Sequence, residues 1–222
     1  EAIIKHFNLS PYKTSSLKNI GNVSRIELGS NFSKLGDKFR IFVNDYDPCG
    51  SMLAILRVGK INAAQALTYL LSFIHPTQII NIGMCGSLKK DIFKIGDIVR
   101  ISQVFQHDVY IPIEHVEFDY LLDKIKLETS KISKEEYGFN HGILATGDSF
   151  IDDELSCNEL SKIADVVDME GYSVAKVCND FKHQCYIYKI VSDNSDNSSA
   201  DDFKTSIDIY NEKIKFLLNN VF

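Results

Sequence analysis

The chain has 222 residues, of which 45% are hydrophobic, and its 24 basic and 30 acidic residues give a net charge of −6. This size suits one α/β domain with a substantial core. The acidic balance argues against a nucleic-acid binder, which usually shows a basic stripe, and gives no support to a polybasic membrane contact. No apolar run approaches the roughly 18 residues that a membrane-spanning helix needs.

The start of the chain shows no secretory signal, and the first residue is Glu1 rather than Met. We therefore expect residues upstream to be missing from this sequence. The five cysteines are Cys49, Cys85, Cys157, Cys178 and Cys185. They form no C-x-x-C pair, and the pattern indicates reduced, mostly buried thiols in a cytoplasmic protein. Because His and Cys are not clustered, no metal site is predicted.

The first part of the chain alternates between short strands and one clear helix. Residues 1–10 have apolar positions at helix spacing, and Pro11 ends that predicted helix. Turn-forming residues then separate predicted strands at 23–28, 39–43 and 52–58. Apolar residues recur with a 3.6-residue period from 61 to 74, which predicts a helix. A β-rich run at 78–82, closed by Gly83, predicts the next strand.

The second part continues this α/β pattern. A strand region is predicted at 95–104, a helical stretch near 120–127, and strands at 142–145, 166–167 and 185–191. A helix is predicted to begin near Glu170. The last helix presents one apolar face, formed by Phe203, Ile207, Tyr210, Ile214, Leu217 and Val221. Because no repeat or linker is visible, residues 1–222 are predicted to form one domain.

Polar and acidic residues follow several predicted strands at their carboxyl ends. Asp148, Glu170 and Asp193 stand in such positions, and so does the turn that contains Met84 and Gly86. In open α/β sheets, ligands bind at the carboxyl ends of strands, so these residues predict a site. Each feature alone has a simpler explanation, as a tight turn, a helix-dipole carboxylate or a polar loop. Only their combination indicates function.

The combination resembles a known family. The matching segments are INIGMCGSL at 80–88, IGDIV at 95–99, QHDV at 106–109, ATGDSF at 145–150, VDMEG at 167–171 and VSDNSD at 191–196. In order and approximate spacing they are similar to the nucleoside phosphorylase/hydrolase superfamily, and within it to the methylthioadenosine/S-adenosylhomocysteine nucleosidases. The resemblance covers nearly the whole chain from about residue 50.

The resemblance implies a fold and an activity. The fold would be a single α/β domain with a central, mixed, twisted β-sheet flanked by helices, whose first strand would precede Glu1. The activity would be hydrolysis of the N-glycosidic bond of 5'-methylthioadenosine or S-adenosylhomocysteine, releasing adenine and a 5-thioribose. No cofactor would be needed. The partners would be a small-molecule nucleoside and a second copy of the chain, with residues 105–112 reaching the neighbouring subunit's site.

The resemblance also implies a role for each matching catalytic residue. Asp193 corresponds to the acid that gives a proton to N7 of adenine, and Ser192 to the residue that holds its side chain. Glu170 corresponds to the carboxylate that binds the ribose hydroxyls, and Met169 lies beside the sugar. Glu1 aligns with the glutamate that activates the attacking water.

Further substrate contacts follow from the same resemblance. Phe150 corresponds to the ring that stacks on adenine, and Ile151 to the residue whose backbone contacts the base edge. Gly86 is a further expected contact. Two positions depart from the family pattern, because Met84 stands where a small polar residue is usual and Lys189 where Arg is usual. Both positions are expected near the water and the ribose.

This chemistry needs acidic groups on both sides of the bond. Adenine is a poor leaving group as an anion, so protonation of N7 by a general acid favours its departure. An ordinary Asp, with a pKa of about 3.9, is ionised at neutral pH, but a water-poor pocket raises its pKa. A carboxylate near the ribose stabilises the positive charge that develops there, and a second one can deprotonate the water.

Three other functions remain open at this point. A nucleoside phosphorylase would need cationic groups around phosphate. The chain has only four Arg, and Asn81-Ile82 occupies the place where a phosphorylase often carries one, so hydrolysis is favoured. A hydrolase acting on futalosine-type nucleosides would use the same mechanism. A non-catalytic nucleoside-binding relative would be consistent with the departures at Met84 and Lys189.

Overall fold

The computed structural model describes residues 10–11, 40–43, 52–111, 123–127 and 138–220. Its strands are β1 (Ser10–Pro11), β2 (Arg40–Val43), β3 (Met52–Ile55), β4 (Gln78–Ser87), β5 (Ile98–Gln106), β6 (Ile125–Lys126), β7 (Asn140–Thr146), β8 (Val166–Asp168) and β9 (Gln184–Asp193). Its helices are α1 (Lys60–Leu71), α2 (Glu154–Leu160), α3 (Gly171–Asp180), α4 (Ser199–Thr205) and α5 (Ile207–Asn220). This order is the mixed α/β pattern predicted from the sequence.

The first three strands form a small antiparallel sheet in the order β1-β2-β3. Its last strand lies against the first helix, because Ala54 and Leu56 pack on Ala66 and Leu70 of α1. This small sheet is therefore anchored to α1.

The remaining strands form a mixed sheet in which five strands pair in a closed cycle, within the part of the chain that the structure describes. Strand β5 pairs with β7, β7 with β8, β8 with β4, and β4 with β9. The cycle closes because Ile98 to Arg100 of β5 pair antiparallel with β9. Strand β6 adds to β5 at Gln103 and Val104. The predicted mixed sheet is confirmed, and its closure is an additional feature.

Strand β9 is buried on both faces, which explains its continuous apolar sequence. Cys185, Ile187 and Val191 lie in the cluster that includes residues of α1 and α3. Tyr186 and Tyr188 lie in a second cluster with Ile214 and Leu217 of α5. The strand therefore carries its last residues, Ser192 and Asp193, into an interior that helices cover.

Some predictions about local structure are wrong where the chain is described. Strand β4 does not end at Gly83 but continues to Ser87, because its parallel pairing with β9 continues past Gly83. The stretch predicted as helix near 120–127 contains strand β6 instead, since pairing with β5 outweighs local helix preference. Of the helix predicted at 1–10, only Ser10 is described, and it lies in β1, where it pairs with Val43 of β2. Residues 1–9 and the strand predicted at 23–28 lie outside the described part.

The last predicted helix is two helices, α4 and α5, which meet at the buried Ser206. Ile214 and Leu217 lie in the core as predicted, but Phe203 and Ile207 are exposed. Ile61 of α1, also predicted on an apolar face, is exposed as well. Ile61 and Ile207 occupy the first turns of their helices, and Phe203 lies in the last turn of the short helix α4.

The four described cysteines are unpaired, and Cys85, Cys178 and Cys185 are buried, as predicted. Within the described ranges, none of the helices has the length and apolar character needed to cross a membrane.

Candidate active site

The strand register brings the ends of four strands together. Gly86 of β4 pairs with Val167 of β8 on one side and with Asp193 of β9 on the other. Thr146, the last residue of β7, pairs with Asp168, the last residue of β8. The strand ends that the sequence singled out therefore meet, although β4 and β8 run antiparallel. This meeting point is the candidate active site.

Asp193 is buried at the end of β9, with 2% of its surface exposed. Its Oδ2 lies 2.7 Å from Ser192 Oγ, and its Oδ1 accepts a hydrogen bond of 3.0 Å from the Ser195 N–H. Burial raises the pKa of Asp193 above its ordinary value, although the hydrogen bonds from Ser192 and Ser195 oppose the rise. Asp193 thus keeps its proton to a higher pH than an exposed Asp, as a general acid must.

Gly86 leaves the space that the Asp193 carboxyl group occupies. A Cβ atom at position 86 would overlap Ser195 Oγ and lie 2.8 Å from Asp193 Oδ1, which is closer than such atoms approach in real proteins. The glycine is therefore needed for the packing of the candidate acid. The structure places it against Asp193, and its expected contact with substrate remains a proposal.

Glu170 stands at the residue before α3 and is partly buried. Its side chain makes no hydrogen bond to its own helix, and its Oε1 instead accepts a bond of 2.9 Å from the Gly59 N–H, just before α1. Burial raises the pKa of Glu170, the ammonium group of Lys189 opposes this, and the carboxylate of Asp168 adds to it. The Glu170 carboxylate is therefore held between the starts of two helices.

Lys189 is buried behind this carboxylate, with 1% of its side chain exposed. Its Nζ forms an ion pair of 2.6 Å with Asp168 Oδ2. A Cβ atom at Gly83 would lie 2.8 Å from the same Nζ, so the glycine makes room for the ammonium group. Burial works to lower the pKa of Lys189, but Asp168 and Glu170 outweigh it and raise the pKa. The residue stays charged.

The residues expected around the base and the sugar differ in exposure. Phe150 is 45% exposed, whereas Ile151 is buried in a cluster with Leu88 and Phe105. Met84 and Met169 are both partly buried. Phe150 lies in the loop that follows β7, so an exposed ring stands four residues after the end of that strand. Glu1, the expected water-activating residue, lies outside the described residues.

A polar network around Lys60 was not expected from the sequence. Lys60 Nζ at the start of α1 bonds to Gln106 Oε1 at 3.0 Å and forms a 2.6 Å ion pair with Asp108. Asp148 Oδ1 accepts from the Lys60 N–H at 2.8 Å, and the Asp148 N–H donates to Asp108 Oδ2 at 2.9 Å. From the sequence, His107-Asp108 stood out only as part of the segment QHDV at 106–109. The partners are 40 to 88 residues apart, so no local pattern predicts the network.

Asp168 and Thr146 are also part of the site although the sequence did not single them out. Asp168 lies within the VDMEG segment and is buried together with Thr146. The signal that could have found it is a carboxylate three residues before the first residue of a helix, whose side chain can accept from a helix amide. Among the described residues, no group of three or more His, Cys, Asp or Glu side chains is arranged to hold a metal ion.

Buried carboxyl groups at the strand ends of a mixed α/β sheet are typical of enzymes that act on small molecules, and comparison with known proteins specifies the family. The model of the phosphorylase superfamily matches residues 20–222. The chain therefore belongs to the phosphorylase superfamily.

Individual relatives are nucleosidases. A 5'-methylthioadenosine/S-adenosylhomocysteine nucleosidase from Buchnera aphidicola is 29% identical over 91% of this chain and 92% of its own length. An aminodeoxyfutalosine nucleosidase from Helicobacter pylori is 31% identical over 68% of this chain and 71% of its own length. The structure of Arabidopsis thaliana 5'-methylthioadenosine nucleosidase has a TM-score of 0.77 at 22% identity, covering 98% of this chain and 87% of that one. The last comparison supports the fold.

Proposed function

We propose that the protein is an N-ribosyl hydrolase that cleaves 5'-methylthioadenosine or S-adenosylhomocysteine to adenine and a 5-thioribose. The observation that carries this proposal is Asp193, a buried carboxyl group with a raised pKa at the end of β9. The nucleosidase relatives support the reaction class.

Asp193 is the proposed general acid. As the bond between adenine and ribose lengthens, electrons move onto the base, and a proton delivered to N7 lets it leave as a neutral molecule. Ser192 and Ser195 hold the two carboxyl oxygens in place. A carboxyl group so oriented delivers its proton without first reorganising its surroundings, which lowers the barrier.

Glu170 is the proposed ribose-binding group. With Oε1 bound to the Gly59 N–H, its other oxygen remains to accept hydrogen bonds from ribose hydroxyls. Its negative charge also stabilises the positive charge that develops on the sugar. Phe150 would stack on adenine, Ile151 would present its backbone to the base edge, and Met84, Gly86 and Met169 would line the sugar.

The proposed nucleophile is a water molecule that Glu1 deprotonates, a role that rests on the alignment of this residue with the family's glutamate. Two cations of the candidate site are already paired, since Lys189 binds Asp168 and Lys60 binds Asp108, each at 2.6 Å. Binding phosphate there would require breaking these pairs, so their pairing favours hydrolysis over phosphorolysis.

A futalosine-type nucleoside is the second candidate substrate. It is favoured by the aminodeoxyfutalosine nucleosidase from Helicobacter pylori, whose identity of 31% is close to the 29% of the Buchnera aphidicola protein. The same groups would act on the base and the ribose. Only the 5' substituent would differ.

We further propose a homodimer and a cytoplasmic location. Tyr110 is 86% exposed beside Val109 and Ile111, and an exposed apolar segment of this kind often marks an interface. The unpaired thiols of the described cysteines are typical of a reducing compartment. In sedimentation experiments, Tyr110→Asp should shift the protein from dimer to monomer. An unchanged dimer would exclude this segment as the interface.

The activity is tested by incubating the 222-residue chain with four nucleosides in phosphate-free buffer. These are 5'-methylthioadenosine, S-adenosylhomocysteine, 5'-deoxyadenosine and aminodeoxyfutalosine, and adenine release is followed by chromatography. We expect the first two to be cleaved fastest. Preference for aminodeoxyfutalosine would favour the second candidate, and tight binding without adenine release would favour a non-catalytic relative.

A further inference from the structure

At the start of helix α3, the first backbone amides are bonded by side chains other than that of the residue before the helix. The first amides of a helix need acceptors, which the residue before the helix usually supplies from its own side chain. Glu170 stands in that position but makes no such bond. Instead, Asp168 Oδ2 accepts from the Gly171 N–H at 2.8 Å, and Thr146 Oγ1 accepts from the Tyr172 N–H at 3.0 Å. The Glu170 carboxylate is thereby left available to the site.

The groups that replace Glu170 at the helix start are linked to one another. Thr146 Oγ1 donates to Asp168 Oδ1 at 2.6 Å, and Lys189 Nζ pairs with Asp168 Oδ2 at 2.6 Å. Thr146, Asp168 and Lys189 are 0%, 6% and 1% exposed, and they come from β7, β8 and β9. A buried network whose members are all bonded holds one geometry. We call these three residues the Asp168 cluster.

Lys189 also balances the charges of this cluster. Without its ammonium group, Asp168 would place a second buried negative charge near Glu170. The charged groups that act on Glu170 are Lys189 from β9, Asp168 from β8 and Asp148 from the loop after β7, together with the Gly59 amide. Of these side chains, Lys189 alone is positive, and it lowers the pKa of Glu170 while Asp168 and Asp148 raise it. Lys189 therefore favours the ionised form of Glu170.

We propose that the Asp168 cluster is a positioning unit that aims an ionised Glu170 carboxylate at the ribose hydroxyls, an inference that rests on the proposed function. Lys189 then acts through Asp168 and Glu170 and does not touch the substrate or the water. The cluster replaces the helix-capping role of Glu170, which frees that side chain for binding.

The first test compares Thr146→Val with Thr146→Ser. Valine has nearly the shape of threonine but removes the hydroxyl group that binds Asp168 and Tyr172, whereas serine keeps it. We expect kcat/KM for 5'-methylthioadenosine to fall on the order of 100-fold in Thr146→Val, because a small misplacement of a binding group has effects of this size. Thr146→Ser should retain most of the activity.

A substrate analogue separates positioning from general destabilisation. The 2'-deoxy analogue of 5'-methylthioadenosine lacks one hydroxyl group that Glu170 would bind. If Thr146→Val acts by misplacing Glu170, its loss in kcat/KM should be clearly smaller for this analogue than for the parent nucleoside. Equal losses on both substrates would mean that the cluster only supports the fold, and would overturn the proposal.

The second test uses the charge of Lys189. Lys189→Met removes it and Lys189→Arg keeps it. In the pH profile of kcat/KM, the acid limb should move to higher pH by roughly one unit in Lys189→Met, because losing a nearby positive charge raises the pKa of Glu170. The limb should not move in Lys189→Arg. A limb that stays in place in Lys189→Met would contradict the electrostatic part of the proposal.

The wild-type chain separates the possible failures. If it releases no adenine from 5'-methylthioadenosine, the proposed function is wrong. If it does release adenine and Thr146→Val behaves like Thr146→Ser on both substrates, the function stands and the positioning proposal is wrong. Should Lys189→Met not fold, the Thr146 pair decides the question without it.

Discussion

Asp193→Asn should abolish most of the activity while leaving the fold intact. Asparagine has almost the same shape, and its Oδ1 can still accept the Ser195 N–H, now 3.0 Å away. Its amide nitrogen can donate to Ser192 Oγ, which in turn can donate to the Cys85 carbonyl oxygen at 3.1 Å. Ser192 and Ser195 therefore keep their partners, so the substitution should change the free energy of unfolding little.

The expected loss of activity follows from the role of the group. Asparagine has no proton to give to N7, and a positioned general acid contributes about 10²–10⁴ in rate. This corresponds to roughly 3–5 kcal/mol of the activation barrier. Because the contacts to the base and ribose lie on other residues, the dissociation constant of 5'-methylthioadenosine should change little.

The assay combines three measurements on one pair of variants. These are adenine release from 5'-methylthioadenosine, calorimetric binding of the same nucleoside, and thermal unfolding. Asp201→Asn is the control, since Asp201 is a solvent-exposed carboxylate on α4 with 87% of its side chain accessible. Near-normal turnover in Asp193→Asn, or an equal loss in Asp201→Asn, would refute the reasoning.

Four further results are expected. Gly86→Ala should lower kcat strongly and the free energy of unfolding by about 1–3 kcal/mol, because the new Cβ would press on Asp193. Normal kinetics would show that the close approach of residue 86 to Asp193 is unimportant. Phe150→Ala should raise KM about tenfold through lost base stacking, whereas Phe181→Ala, at the far end of α3, should not; equal effects would argue against stacking. Lys189→Met should lower the free energy of unfolding by about 3–5 kcal/mol, because it leaves the buried Asp168 carboxylate without its cation. Denaturant titration measures this loss, and an unchanged free energy of unfolding would contradict the prediction. The pKa of Asp193 is raised in the folded state, so the protonated group stabilises the fold at low pH and this contribution is lost as the pH rises through the folded-state pKa. Asparagine does not titrate, so the melting temperature of Asp193→Asn minus that of the wild type should increase from pH 4 to pH 8. A constant difference would contradict the raised pKa.

The ends of the elements that carry the site were predictable because their signals are local. The apolar run of β9 leads directly to Asp193, and the short strand β8 is followed by Glu170 at the start of a helix. Both signals need only neighbouring residues. The resemblance then supplied roles that the pattern itself does not contain.

The parts that could not be predicted depend on pairing between distant segments. The closed cycle of strands requires β5 to meet β9, and nothing in either sequence specifies that register. The ion pair of Asp168 with Lys189 forms across two strands that are not paired with each other. The same reasoning explains β6, where a short segment joins the edge of β5 instead of forming the helix that its own residues favour.

The central claim is that this chain transfers the ribose of an adenine nucleoside to water. It is tested most directly by following 5'-methylthioadenosine with the wild-type chain, with and without phosphate, and identifying the sugar product by NMR. We expect adenine and free 5-methylthioribose at the same rate in both buffers. A sugar 1-phosphate formed only when phosphate is present, or no cleavage in either buffer, would contradict it.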